Sequence, residues 1–293
     1  MTRRRLIRWG TIVTGVGTVM LLAAAYYVGA DLVAPVPRQV GPAPAEFQVV
    51  ETTLDSESGS KIATWFMSAQ DAHATIVLLH GVRGDRRAML KRARLFHDAG
   101  YAIVMIDFQA HGESPGQNIT IGHLERHDAR AAVEFARRMN PDHRIGVVGV
   151  SMGGAAALLA SPLTVDALVL ESVYPTISEA VHDRIWAQVG PLSHVLTPLL
   201  LCQLQPRLGI TPDDLRPIDQ IDDIACPVLV ASGELDQHTT LAETQRMYDA
   251  ASEPKQLAIF TGAAHVDLLR HDHDKYVDQV LGFLKTHLSS SDR

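Results

Sequence analysis

The chain has 293 residues, 46% of them hydrophobic, and carries a formal net charge of −7 at pH 7. This length suits one sizeable globular domain with a short appendage. The acidic balance argues against a nucleic-acid partner. Two cysteines, Cys202 and Cys226, are too few for a disulfide framework, and the sequence leaves open whether they pair.

The N-terminus combines a basic segment with a long uncharged run. Residues 9–30 contain no charged side chain, and as a helix they would span about 33 Å, close to the hydrocarbon thickness of a bilayer. Aromatic residues at both ends of the run, Trp9, Tyr26 and Tyr27, suit the membrane interfaces. The run is preceded by the arginines Arg3, Arg4, Arg5 and Arg8.

This pattern predicts that residues 1–31 are a cytoplasmic basic N-terminus and a transmembrane anchor. Arginines on the N-terminal side place the bulk of the chain on the extracytoplasmic side of the membrane. The alternative is a secreted protein whose signal peptide is cut near Ala23–Ala25. Residues 32–46 are rich in proline and predict an extended tether. Residues 47–293 then form the main domain.

Strands and helices alternate through the main domain. Strands that are apolar throughout and alternate with helices indicate a mostly parallel sheet covered on both faces. Such sheets place their functional residues at the carboxyl ends of the strands. Residues 173–222 interrupt this alternation of strands and helices. They predict a helical insertion that forms a lid above the strand ends. The eight predicted strands are 48–54, 61–67, 74–80, 101–108, 144–150, 166–172, 227–233 and 255–260, and the main predicted helices begin near residues 86, 121, 153 and 273.

The stretch GVSMGG, residues 149–154, lies between a predicted strand and a predicted helix. In that context Gly149 and Gly153 let strand and helix pass closely, and Ser151 is held on a strained turn. The hydroxyl would be exposed at a helix N-terminus, which favours developing negative charge. Ser151 is therefore the candidate nucleophile, against the plainer interpretation of a loop of small residues.

A serine nucleophile requires a base and an orienting acid, which follow it in chain order in this architecture. Asp236 comes just after the strand 227–233, and His265 just after the last strand. The sequence predicts that Asp236 orients the imidazole of His265, which takes the proton of Ser151.

Other polar residues near the strand ends remain alternatives. His238 is a second possible base, and Glu171 and Asp267 are possible acids. His271 and His273 could suggest a metal, but the start of a surface helix is the favoured interpretation. No metal site is predicted.

The segment LLHGVRGD, residues 78–85, contains the end of the third predicted strand. Gly81 lets the backbone approach a substrate, so the amides of Val82 and Met152 are the predicted oxyanion donors. His80 is interpreted as structural support for this loop.

These marks together resemble the α/β-hydrolase superfamily from about residue 47 to 288. In detail the chain resembles the membrane-anchored ABHD-type and serine-aminopeptidase-like branch. The matching stretches are His80-Gly81, DFQAHGES at 107–114, GVSMGG, GELD at 233–236 and AAH at 263–265. One departure is that Gln109 and Ala110 stand where the family usually has Arg and Gly. The resemblance implies an eight-stranded, mostly parallel sheet with a helical lid.

Residues and resemblance together predict acyl transfer to water through an acyl-enzyme, with no cofactor. A carboxylic ester is the favoured substrate, because an alkoxide leaves more easily than an amine. The apolar lid and the anchor suggest a lipid or another apolar acyl ester. A peptidase or amidase, a thioesterase, and a non-catalytic membrane-tethered binding module remain alternatives.

Overall fold

The computed structural model describes residues 3–289, and within this range the side chains of residues 3–8 and 10 are not described. Residues 1–2 and 290–293, the outermost parts of the predicted N-terminus and main domain, lie outside the described residues.

An eight-stranded sheet forms the centre of the molecule. The strands in chain order are β1 Val36–Pro37, β2 Val49–Asp55, β3 Lys61–Met67, β4 Ala74–Leu79, β5 Ala102–Ile106, β6 His111–Gly112, β7 Arg144–Val150, β8 Ala167–Glu171, β9 Val228–Gly233 and β10 Lys255–Phe260. The order of the strands in the sheet is β10-β9-β8-β7-β4-β5-β3-β2. The strands from β10 to β5 in this order are parallel, whereas β3 pairs antiparallel with both β5 and β2. The prediction of a mostly parallel sheet is therefore confirmed.

Helices cover both faces of this sheet, so its central strands are buried throughout. Every residue of β4, β5, β8 and β9 is buried, which explains why these segments are apolar runs without alternation. The helices are α1 Arg3–Leu32, α2 Leu90–Asp98, α3 Glu125–Met139, α4 Met152–Leu159, α5 Ile177–Val189, α6 Ser193–Leu201, α7 Leu204–Leu208, α8 Leu241–Ala250, α9 Leu268–His271, α10 His273–Tyr276 and α11 Gly282–Leu288. One core layer contains α3 and α4, and the other contains α2 and the C-terminal helices.

Three helices, α5 to α7, separate β8 from β9 and occupy the predicted insertion. We call residues 177–208 the cap. The chain reverses between α5 and α6 at Gly190, whose φ of 58° lies in the left-handed region, and at the following Pro191. The cap is therefore a bent assembly of short helices.

The N-terminal helix α1 contains the apolar stretch Thr11–Leu32, which is long and apolar enough to cross a membrane. The segment after α1, where the sequence predicts a tether, lies on the main domain. The Val36 amide donates to the Ala110 carbonyl at 2.8 Å, and the Arg38 amide donates to the Gly112 carbonyl at 2.8 Å. These bonds join β1 to β6, so little free chain separates α1 from the domain.

A buried acid on α3, Asp128, makes the fold sensitive to pH. Its carboxylate accepts hydrogen bonds from the hydroxyls of Ser56 and Ser58, both at 2.6 Å, and from the Gln109 amide at 2.8 Å. Burial raises the pKa of Asp128 to about 7 in spite of these bonds. Between the ordinary aspartate pKa and this value, the folded chain keeps a proton that the unfolded chain has lost. Stability therefore falls as the pH rises through this window.

We expect the melting temperature of the wild type to fall from about pH 5 to about pH 8, relative to that of Asp128→Asn. The amide side chain that replaces the Asp128 carboxyl cannot ionise, so the melting temperature of the variant lacks this contribution to its pH dependence. Thermal unfolding followed by circular dichroism at several pH values measures the difference. If the melting temperatures of the two proteins changed with pH in the same way, Asp128 would not be the cause of the pH dependence.

Candidate active site

Ser151 occupies the sharp turn between β7 and α4. Its backbone angles are φ 50° and ψ −116°, a conformation that a residue with a side chain rarely adopts. The Ser151 amide donates to the carbonyl of Glu171 at 2.8 Å, which fixes the turn against the end of β8. The strained turn predicted from GVSMGG is thus present.

Close packing around this turn explains its glycines. A Cβ atom built on Gly149 would lie 2.5 Å from the Cα of Gly154, and one on Gly153 would lie 2.3 Å from the carbonyl oxygen of Leu79. Both distances are too short for any side chain. The glycines therefore permit α4 to pass directly over β7 and β4 with Ser151 at the crossing.

Asp236 and His265 come together above the ends of β9 and β10. The Nδ1 atom of His265 lies 2.8 Å from Oδ2 of Asp236. The amides of His238 and Thr239 donate to Oδ1 of Asp236 at 2.8 and 3.0 Å. Burial alone would raise the pKa of Asp236, but the hydrogen bonds and the charge of His265 outweigh it, and the pKa is lowered. An ionised Asp236 holds the proton of His265 on Nδ1, which leaves Nε2 free to accept one.

Backbone and side-chain contacts connect this pair to the serine turn. The Thr239 hydroxyl donates to the carbonyl of Ser172 at 3.2 Å. Ser172 directly follows Glu171, whose carbonyl accepts the amide of Ser151. Within the described residues, no hydrogen bond joins the Ser151 hydroxyl to His265. Such bonds are often long in unliganded enzymes and tighten when substrate binds.

The alternative acids have other partners. Arg92 donates from Nε to Glu171 at 3.0 Å and lies 3.0 Å from Asp267, and the Tyr276 hydroxyl donates to Glu171 at 2.6 Å. Glu171, the last residue of β8, is therefore held in a buried ionic cluster with Arg92. His238, the alternative base, uses its amide to bind Asp236, and its ring centroid lies 5.0 Å from that of His265.

The loop after β4 runs alongside the serine turn. A Cβ atom on Gly81 would lie 3.7 Å from the Cβ of Ser151. Val82 and Met152, the predicted oxyanion donors, line the same cavity as Ser151. His80 is buried: its Nδ1 lies 2.8 Å from the Gly81 carbonyl, and its Nε2 accepts the Phe108 amide at 3.1 Å. Burial lowers the pKa of His80 to about 3, so it is a neutral support for the loop.

The stretch DFQAHGES, residues 107–114, contacts the loop that follows β4. His111 accepts the amide of Arg83 at its Nε2, at 3.0 Å. Gln109, which replaces the family's Arg, donates to Glu125 at 2.7 Å and to the Asn118 carbonyl at 2.8 Å. Ala110, which replaces the family's Gly, has a φ of 60°. The two departures therefore leave a closed, hydrogen-bonded loop with one strained alanine.

A cavity of about 340 Å³ leads to Ser151. Apolar side chains form most of its wall, from the loops beside Ser151, from the cap and from the end of α1. The α1 contribution consists of Val28, Gly29 and Leu32, and Val33 directly after the helix also contributes. The sequence did not indicate this role of α1, because α1 and the cap are far apart in the chain.

Arginines are the charged residues of this wall. Arg83, Arg184 and Arg207 all contribute, and no carboxylate occurs among the described lining residues. Burial lowers the pKa of Arg184, which lies on α5. Within the part of the chain that the structure describes, no group of three or more His, Cys, Asp or Glu side chains is arranged to hold a metal.

Comparison with known proteins agrees with this architecture. Residues 70–210 match a family model described as Serine aminopeptidase, S33. An esterase of Pyrococcus furiosus superimposes with a TM-score of 0.72 at 22% identity, covering 88% of this chain and 99% of the esterase. The chain therefore has the α/β-hydrolase fold, and its residues 70–210 are similar to the S33 family. The matched stretch includes Ser151 but ends before Asp236 and His265.

Relatives found by sequence are less than 30% identical to this chain. The uncharacterized protein YqkD of Bacillus subtilis is 28% identical over 247 residues, covering 80% of this chain and 81% of the relative. A protein of Danio rerio named lysophosphatidylserine lipase is 27% identical over 212 residues, covering 69% of this chain and 53% of that protein. Both relatives are less than 30% identical to this chain, and this degree of similarity does not specify a substrate.

Proposed function

We propose that the chain is a serine hydrolase that cleaves carboxylic esters with Ser151, His265 and Asp236. The observation that carries the proposal is the 2.8 Å contact between Asp236 and His265 at the same edge of the sheet as the strained Ser151. An oriented imidazole and a serine on a tight turn are the two parts that nucleophilic catalysis needs.

In this mechanism the Ser151 Oγ attacks the ester carbonyl while Nε2 of His265 takes the hydroxyl proton. The amides of Val82 and Met152 donate to the oxyanion of the tetrahedral intermediate. The imidazolium, stabilised by Asp236, then gives its proton to the departing alkoxide, and an acyl-enzyme remains on Ser151. Water activated by His265 attacks the acyl-enzyme, the acid is released, and the proton returns to Ser151.

The substrate that fits best is an ester with an apolar acyl group, such as a lipid. The cavity that reaches Ser151 has a wall rich in Val, Leu and Ile side chains, which favours burial of a hydrocarbon chain. The name of the Danio rerio relative supports the same class of substrate. The arginines of the wall are suited to a substrate that also carries a negatively charged group.

A peptidase is the second candidate, favoured by the description of the matched family model. An aminopeptidase must bind a free ammonium group, which calls for a carboxylate near the scissile bond. The described wall residues include Arg83, Arg184 and Arg207 and no Asp or Glu. We therefore favour the ester. Comparing an amino-acid arylamide with an aryl ester distinguishes the two candidates, and an acyl thioester tests a thioesterase on the same triad.

We also propose that α1 anchors the enzyme, with the hydrolase domain on the extracytoplasmic side. The apolar stretch Thr11–Leu32 and the arginines that precede it support this orientation. Secretion after signal cleavage is the alternative, and the mass of the mature protein separates the two.

Labelling with a fluorophosphonate probe tests the nucleophile. We expect the full-length chain in detergent to be labelled, and Ser151→Ala and His265→Ala to lose the label, because one lacks the nucleophile and the other its base. His238→Ala is the matched control, since its ring is the neighbour of His265, and it should keep the label. A labelled Ser151→Ala, or an unlabelled but folded wild type, would overturn the proposal and favour a non-catalytic binding module.

A further inference from the structure

The tip of the cap exposes large apolar side chains. We call residues 186–195 the cap tip. Trp186, Val189, Leu192 and Val195 are 48%, 43%, 60% and 55% exposed. From residue 185 to residue 206 the sequence contains no Asp, Glu, Lys or Arg. A contiguous exposed surface that is both apolar and free of formal charge marks an interaction site rather than an ordinary water-facing surface.

The shape of the cap determines how this surface can meet a membrane. Residues 177–208 are apolar enough by composition to span a bilayer, but the reversal at Gly190 and Pro191 folds them into a hairpin. A hairpin of short helices with an apolar end suits insertion into one leaflet rather than crossing of the bilayer.

The cap and the anchor helix form one continuous surface. Gln203 donates from Nε2 to the carbonyl of Ala25 at 3.0 Å, and Arg207 donates to the carbonyl of Tyr26 at 2.7 Å. The Arg207 guanidinium also lies 4.3 Å from the centroid of the Tyr26 ring. Helix α6 packs along α1. Wherever α1 leaves the bilayer, the cap is therefore held beside it.

The cavity lies at this same junction. Val28 and Leu32 of α1 and Leu200 and Leu204 of the cap line the same cavity as Ser151. An acyl chain that enters between α1 and the cap would remain among apolar side chains from the membrane to the nucleophile.

We propose that the cap tip inserts into the leaflet next to α1, and that acyl substrates pass from the bilayer into the cavity between α1 and the cap. The partner of the cap tip is thus a lipid bilayer. The entry route rests on the proposed function, whereas insertion of the tip does not.

Trp186 offers a direct measurement of insertion. The full-length variant Trp9→Phe, reconstituted in vesicles that contain brominated phosphatidylcholine, retains Trp186 and the fully buried Trp65. We expect strong quenching of its fluorescence, and little quenching in the control Trp9→Phe/Trp186→Phe. Equal quenching in the two proteins would overturn insertion. A tip covered by a second copy of the chain would give that same result, together with a dimer in detergent.

Activity tests the entry route. In the variant Leu192→Asp/Val195→Asp, we expect hydrolysis of a long-chain ester embedded in vesicles to fall about tenfold or more. Hydrolysis of p-nitrophenyl acetate in solution should stay within about twofold, because neither residue lines the cavity. The matched control is Val50→Asp on β2, an apolar side chain that is 53% exposed, and it should change neither rate.

These outcomes separate the two proposals. Equal loss on both substrates, or no loss on the embedded ester, would overturn entry from the bilayer. A quenched Trp186 in a protein that hydrolyses neither substrate would overturn the esterase function and leave insertion of the cap tip standing.

Discussion

Replacing Asp236 with Asn should lower kcat/KM for a soluble ester by about 10³- to 10⁴-fold. The amide of Asn can donate to Nδ1 of His265, which would move the imidazole proton to Nε2 and leave no acceptor for the Ser151 proton. The negative charge that stabilises the imidazolium would also be lost. Initial rates with p-nitrophenyl butyrate measure the effect.

Structural damage is separable from this loss. The amides of His238 and Thr239 donate to Oδ1 of Asp236, and Asn retains one oxygen that can accept them, so the fold should persist by circular dichroism. The matched control is Asp267→Asn, whose carboxylate contacts Arg92 at 3.0 Å and not His265, and it should lose less than about threefold. A larger loss in the control than in Asp236→Asn would show that Asp267 is the acid.

Removing the charge of Arg92 should destabilise the fold by about 3–5 kcal/mol. Arg92 and Glu171 are 3% and 1% exposed, so Arg92→Met leaves a buried carboxylate with the Tyr276 hydroxyl as its hydrogen-bond donor. The cost of such an uncompensated charge exceeds the loss of an ordinary hydrogen bond. Urea unfolding of the wild type and the variant measures the difference in the free energy of unfolding.

An exposed ion pair provides the comparison. Arg94 pairs with Glu46, and the two side chains are 48% and 50% exposed, so Arg94→Met should cost less than about 1 kcal/mol. Arg92→Met/Glu171→Gln should recover part of the loss, because it removes the unpaired charge. An unchanged urea midpoint in Arg92→Met would mean that the buried pair contributes nothing to stability.

Local features of the sequence predicted the buried strands and the serine turn. The apolar runs at 74–80 and 101–108 predicted buried strands, because a strand covered on both faces needs apolar side chains at every position. GVSMGG predicted the serine turn, since only glycine fits where α4 crosses β7. These features depend on residues that are close together in the chain, so the sequence predicts them without knowledge of the fold.

Other features depended on contacts between distant residues. The sequence offered Glu171, Asp236 and Asp267 as possible acids, and only the folded chain shows Asp236 beside His265. Glu171 instead meets Arg92, 79 residues away in the chain. Nothing local marks such a pairing, because it follows from how helices pack over the sheet.

By itself, the sequence determined the mostly parallel sheet, the strained position of Ser151 and the apolar helix before the domain, because periodicity and short motifs encode them. The tertiary structure decided which acid meets His265, and it decided that the end of α1 forms part of the cavity. Gln203 of the cap donates to the carbonyl of Ala25 on α1, and these two residues are 178 positions apart in the chain. Such a contact arises when two apolar surfaces that are remote in the chain exclude water together, and no local pattern records it.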